Sequence, residues 1–406
     1  MTSNTSLSNE SEADIPQFQA LLIQEGASEL ADLIDQRKEV CDDLVYVIGA
    51  TPTLSLQGWK DDSLNKYFAY RLPKTNPAGA LAWFSRMKLQ LMEIDAQIAC
   101  IPARGKLDFL DLGFVIHCGL NMRLIGVRSC CPGGFSSYVL ERNGRARGLG
   151  ISLGPESGGE CFLLESHLRQ RYEFISADIA NYQLGPALFE SSFLQPLPAG
   201  FDDGVFDLCF LDAVPIWQEQ KIKGWDSQRL FISQFILALK GLKHGGTIVI
   251  RLSRPELLYT ARILWILDRV SQELRTCKPL TIHAKRPSFY AVAVGVGLGA
   301  EASRLPAIVD QFQRLWVELT FGGEEGEGRW LEDVDFNFLI SQDDLIDTFA
   351  DRLIDLSRSV WVVQTQTLSR LVSASKKQPT REMWRRTSSA LTYNNVSDPI
   401  LYQTIA

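Results

Sequence analysis

Cys130-Cys131-Pro132-Gly133-Gly134-Phe135-Ser136-Ser137-Tyr138-Val139-Leu140, taken with Phe109-Leu110-Asp111-Leu112-Gly113 upstream, is the text that decides the fold. Adjacent glycines after a proline and ahead of an apolar periodic run read as a tight loop opening a helix. The free N–H groups of that helix start can meet a ligand's polar edge. An apolar strand that ends in Asp-x-Gly and leads into such a loop is how doubly wound α/β domains build a nucleotide pocket at the carboxyl ends of their strands. A Pro-Gly-Gly turn by itself also fits a plain turn, so the order of the downstream segments carries weight.

Short apolar runs stand at residues 147–153, 174–178, 206–212 and 246–251, with helical patterns between them. That alternation predicts an α/β fold with a parallel sheet and helices on both faces, a Rossmann-like arrangement. No G-x-G-x-x-G comes after the first strand, which argues against a dinucleotide-dependent oxidoreductase.

Four landmarks stand in one order over roughly residues 80–297: the Pro132-Gly133-Gly134-Phe135-Ser136 helix start, the Phe206 to Asp212 strand, the strand from Leu242 to Ile250, and Lys278-Pro279 with residues 286–292 after it. At these residues the sequence resembles the FtsJ-like ribose 2′-O-methyltransferases, including the mRNA cap methyltransferases. The resemblance implies a Rossmann-like methyltransferase domain that uses S-adenosylmethionine. It implies a cofactor pocket at Asp111, Gly113, Pro132, Gly133, Gly134 and Phe135, with Ser152 at the end of the second strand, Asp178 as acceptor for the adenine amino group, and Asp212 beside the methyl group and the target hydroxyl. Many such folds carry an acidic residue where Ser152 stands, so Ser152 is a departure. Asp178 also reads as a helix cap or turn residue.

The catalytic Lys-Asp-Lys-Glu set of the family is incomplete here. The resemblance places Gln90 where the first lysine stands; Lys88, two residues earlier, is about 200° away around a helix. Arg251 replaces the second lysine and Ser288 the glutamate, leaving Asp212. A desolvated lysine can shed its proton whereas an arginine effectively cannot, so Arg251 is suited to stabilising an oxyanion or binding phosphate rather than to acting as a base. The candidate catalytic residues are therefore Asp212, Arg251, Lys88 and Ser288. Two functions fit: methyl transfer to RNA ribose hydroxyls, or a catalytically inactive pseudo-methyltransferase acting as a binding or scaffolding module. Related departures occur among fungal FtsJ-like proteins.

Removing residues 114–129 would join Asp111-Leu112-Gly113 to Cys130-Cys131-Pro132-Gly133-Gly134 as one continuous motif. The segment reads either as a genuine insertion, with residues 122–127 replacing the strand, or as a retained short intron. His117 lies in it and is given no role.

The remaining chain divides by composition into a polar tail (1–14), an N-terminal helical extension and linker (15–78), the methyltransferase-like unit (79–299) and a helical extension ending in a basic tail (300–406). Lys376, Lys377, Arg381, Arg385 and Arg386, with Trp384 among them, make that tail. A net charge of −7 gives no general attraction for phosphate, so RNA contact has to come from a local patch such as this tail or Lys278, His283, Lys285 and Arg286. That second cluster also reads as a solvated strand edge. The terminal extensions are candidate surfaces for a protein partner, and no DNA partner is expected. Eight scattered cysteines without a C-x-x-C pair suggest neither a zinc site nor a disulfide framework. With no long apolar window and no secretory leader, a soluble intracellular protein, cytoplasmic or nuclear, is expected.

Overall fold

The computed structural model describes residues 77–113, 133–153, 162–186, 193–198, 201, 204–213 and 225–376. The split loop at 114–132, both tails and the loop at 214–217 lie outside the described residues. In chain order the elements are α1 (Pro77–Ile98), β1 (Leu107–Leu112), α2 (Gly134–Arg142), β2 (Ala146–Ser152), β3 (Tyr172–Ser176), β4 (Phe206–Leu211), α3 (Asp226–Gly241), β5 (Leu242–Ser253), α4 (Leu258–Val270), β6 (Glu273–Cys277), β7 (Ser288–Val296), α5 (Leu305–Phe321) and α6 (Gln342–Lys376).

The strands form one seven-stranded sheet in the order β3-β2-β1-β4-β5-β7-β6. Strands β1 to β5 are parallel, as their alternation with helices predicts. Beyond the runs from which the parallel sheet is predicted, β7 runs antiparallel to both β5 and β6. The reason lies in the connection. A parallel return needs a crossover of about a dozen residues or more, usually helical, and residues 278–287 carry no helix, so β7 turns back beside β6. The strand order reverses at β1 and β4, and a crevice at the carboxyl ends of those strands is where such sheets bind ligands.

Each face of the sheet is buried by its own helices. On one face α1 presents Trp83, Met87, Leu91, Ile94 and Ile98, a stripe at helical spacing that packs with Phe135 and Val139 of α2 onto Phe109, Phe210 and Tyr290. On the other, Phe235 of α3 meets Phe312 of α5 edge-on with ring centroids 5.0 Å apart. There the Trp316 indole donates to Ser233 Oγ at 3.1 Å. Arg352 of α6 binds Asp268 at 2.9 Å and the Leu274 carbonyl at 2.9 Å. The C-terminal helices thus complete the core of the second face. Among the described residues no helix is long and apolar enough to cross a membrane.

Candidate active site at the carboxyl edge of the sheet

Two glycines set the start of α2. Gly133 has φ +72°, in the left-handed region, and its carbonyl accepts from Ser137 N at 2.8 Å. A Cβ on Gly134 would stand 2.6 Å from the Phe84 carbonyl and 2.8 Å from Lys88 N, so α2 can approach α1 this closely only with glycine there. Behind them, Ser136 Oγ donates to the Asp111 carboxylate, joining the end of β1 to the first turn of α2. Burial pushes the Asp111 carboxyl up to about 6, against the Ser136 bond and with the help of the Asp212 charge. Gly113 continues the sheet through its N–H to Ile151 O at 3.0 Å. Phe135 points inward, 5.5 Å from Phe210 and 6.2 Å from Tyr290 by ring centroid, which makes it a core residue below the loop. Pro132 lies outside the described residues.

Ser152 ends β2 with 2% exposure, and its Oγ has no hydrogen-bond partner among the described residues. A buried hydroxyl left unpaired is costly, and its position at the crevice is what a ligand-facing group requires. Asp178 comes after β3 and accepts from Ala180 N at 2.9 Å, capping the short helix Ile179–Asn181. Burial raises its pKa, opposed by that backbone bond and by Arg229. The helix-cap role is therefore present, with the half-buried carboxylate at the same edge of the sheet.

Asp212 comes after β4 and is 4% exposed. Its Oδ1 lies 2.8 Å from Arg251 Nε of β5, and Arg251 Nη2 donates to the Asp212 carbonyl at 3.3 Å. The Nε–H points off the line to Oδ1, so this is an ion pair by charge, and Oδ1 makes no hydrogen bond among the described residues. Directly across the strand pair from Arg251 is Tyr290 on β7. Its hydroxyl accepts from Gln90 Nε2 of α1 and donates to the Asp212 carboxylate. Burial raises the Asp212 pKa, with Arg251 and then Tyr290 opposing the rise. Burial, and after it the Asp212 charge, holds the Tyr290 phenol well above its ordinary value.

The sequence-derived candidates separate at this point. Asp212, Arg251, Ser152, Asp178 and the glycine loop all belong to one edge of the sheet. Lys88 is carried elsewhere: its Nζ binds Glu141 at 2.7 Å and Glu165 at 3.3 Å, and Gln90 is the α1 residue that reaches the Asp212 cluster. Ser288 pairs with the neighbouring His283, Oγ to Nδ1. Tyr290 was not singled out by sequence as a site residue, and His283 only as a member of the basic patch; a tyrosine two positions along β7 from Ser288, hence on the same face, is the signal that could have found the first.

The basic cluster Lys278, His283, Lys285 and Arg286, expected at the surface, is half inside. Lys278 is 3% exposed, and its Nζ donates to Arg286 O at 2.6 Å, Ser288 O at 2.9 Å and Gln364 Oε1 at 3.1 Å. His283 is also buried. The cause is α6, whose Gln364 closes over the end of β6 and takes Lys278 out of solvent. Burial brings the Lys278 ammonium down to about 7, opposed by the Glu256 charge. It also holds His283 well below its ordinary value, together with the charges of Arg251, Arg286 and Lys278. Among the described residues no group of His, Cys, Asp and Glu could hold a metal ion.

Residues 83–296 match the family described as FtsJ-like methyltransferase. No curated protein is significantly similar. Among solved structures, a putative ribosomal RNA methyltransferase from Plasmodium falciparum is 17% identical, with 53% of this chain and 98% of that one covered and a TM-score of 0.32. A predicted O-methyltransferase from Agrobacterium tumefaciens is 15% identical over 52% and 79%, with a TM-score of 0.27. Phosphoethanolamine N-methyltransferase 1 from Haemonchus contortus, in complex with phosphoethanolamine and S-adenosylhomocysteine, is 13% identical over 67% and 54%, with a TM-score of 0.32.

Proposed function

The chain belongs to the FtsJ-like methyltransferase family, and from that premise we propose that it methylates ribose 2′-hydroxyls of RNA with S-adenosylmethionine as donor. The observation that carries this reading is Asp212 Oδ1, a buried acceptor without a hydrogen bond among the described residues, beside Arg251 at the carboxyl edge. S-adenosylmethionine, when bound, would supply an electrophilic methyl group; its methyl–sulfur bond would break with the electron pair kept on sulfur, so that S-adenosylhomocysteine leaves. The residues that would hold it are Ser152 through its unpaired hydroxyl, Asp178, and the N–H groups at the start of α2 around Gly133 and Gly134.

Asp212 Oδ1 accepts the hydrogen bond of the target hydroxyl and aims the oxygen lone pair. As the new C–O bond forms, the hydroxyl proton passes to Asp212, which burial makes a stronger base than an exposed carboxylate, and from there to water. Arg251 holds Asp212 in place and balances negative charge growing on the oxygen. Most of the acceleration is assigned to positioning. DNA, lacking the 2′-hydroxyl, offers no acceptor.

The test is transfer of labelled methyl from S-adenosylmethionine to RNA, with alkaline digestion to show the protected 2′-O-methyl linkages. Label in alkali-resistant dinucleotides, lost in Asp212→Asn, is expected; unlabelled RNA with intact cofactor binding would remove the enzymatic reading. That outcome would favour the pseudo-methyltransferase alternative. The observation on its side is that no lysine among the described residues reaches Asp212 and that Gln90 serves Tyr290 instead.

A further inference from the structure

Arg286 comes just before β7, whose Ser288 pairs with Ser253 at the carboxyl end of β5, so it stands at the same edge as the catalytic pair; it is exposed and in no ion pair among the described residues. It is close enough to feel the charges of Arg251, Tyr290 and Asp212; crowding by protein atoms and then the Arg251 guanidinium lower its pKa. Asp212 is engaged first by Arg251 and gives Arg286 only part of its balance.

The backbone that carries this side chain is fixed on both sides. Arg286 N–H donates to His283 O at 3.0 Å, and Arg286 O accepts from Lys278 Nζ at 2.6 Å. The next residue, Pro287, restricts the Arg286 backbone and accepts from Arg254 N at 3.1 Å. Lys278 is held in turn by Gln364 of α6. Burying an ammonium costs free energy. Spending it on the carbonyls of Arg286 and Ser288 makes sense if what projects from this loop needs a set position. A guanidinium is a two-pronged donor matched to a phosphate, and with its backbone held only the side-chain torsions are left to order on binding.

We propose that Arg286 is a phosphate anchor for the substrate: it takes a phosphodiester of the RNA next to the ribose whose hydroxyl meets Asp212. This rests on the proposed RNA methylation and adds which backbone group the chain grips and with what. It also gives the buried Lys278 a purpose as the positioning residue beneath Arg286.

The test is fluorescence polarisation of a labelled single-stranded RNA oligonucleotide against the intact chain, Arg286→Gln and Arg286→Lys, over a series of salt concentrations, with calorimetric titration of S-adenosylmethionine and thermal melting on each. Arg286→Gln is expected to lose roughly tenfold in RNA affinity at low salt. Its slope of log affinity against log salt should shrink by about 0.7. Arg286→Lys should keep the slope and recover part of the affinity, and cofactor affinity and melting temperature should match the parent in both. RNA binding by Arg286→Gln with parental affinity and slope would overturn the anchor and leave the proposed methylation standing. A parent chain that binds S-adenosylmethionine but no RNA would overturn both.

Discussion

Gln90 of α1 donates its side-chain N–H to the hydroxyl of Tyr290 on β7, joining residues 200 positions apart in the chain. The bond sets the phenol against Asp212, so a helix that precedes the sheet helps fix the carboxylate at the centre of the site. Replacing Tyr290 by Phe strands a buried Gln90 amide and removes one donor from Asp212. A stability loss of about 1–3 kcal/mol is expected by urea denaturation. The Tyr290 bond lowers the Asp212 pKa, so its removal raises that pKa further. The acid limb of the rate profile should therefore move to higher pH in Tyr290→Phe.

The parent's pH dependence has the same origin. Asp212 acts ionised and its pKa is raised by burial, so methyl transfer should increase with pH through a midpoint above the ordinary carboxylate range. An arginine stands where a lysine base would, and an arginine is no general base, so no second rise of the kind a lysine base would give is expected on the alkaline side. A rate profile with a single ascending limb agrees with this assignment; a further ascending limb near pH 8–10, roughly the range of a partly desolvated lysine, would assign the base elsewhere.

Ser152→Ala separates folding from binding. The hydroxyl is buried and unpaired among the described residues, so removing it should leave stability unchanged or slightly higher. Cofactor affinity should fall several-fold, read as a smaller thermal shift on adding S-adenosylmethionine. An unchanged shift would take Ser152 out of the pocket.

Gly134→Ala drives a methyl group against the Phe84 carbonyl and Lys88 N. These are backbone atoms of α1 and cannot swing aside, so α2 must back away from α1 at a cost of about 1–3 kcal/mol. The expected result is a lower urea midpoint together with weaker cofactor binding, because the loop and the helix start move as one.

Lys278 makes stability depend on pH in a way its variants reveal. The folded pKa, about 7, lies below the value of an exposed lysine, so between about 7 and 10 the unfolded chain binds more protons than the folded one. Lys278 therefore contributes a stability that rises with pH across that window, while below it both states are protonated and the contribution is flat. The stability difference between the parent and Lys278→Met, measured from about pH 6 to 10, should shift in the parent's favour across that window.

Much of the sheet was legible because its strands are short apolar runs separated by helical patterns. Asp212 and Arg251 were legible because they end such runs, where side chains face the crevice. The reversal of β7 was not, since it depends on the helix-free connection from β6 and on which neighbour that strand finds. Nor was the burial of Lys278, a polar residue in a turn that becomes interior only because α6, far along the chain, lays Gln364 over it. The Gln90 substitution could be read in sequence as a loss; its gain, the bond to Tyr290, exists only once α1 and β7 share a face.

If the carboxyl edge built by Ser152, Asp178 and Asp212 is a cofactor pocket, calorimetric titration of S-adenosylmethionine into the intact chain tests it most directly. Saturable binding in the micromolar range, about −8 kcal/mol, weakened in both Ser152→Ala and Asp178→Ala, is the expected result. A folded chain that releases no binding heat, or one whose affinity is untouched by either substitution, would contradict it.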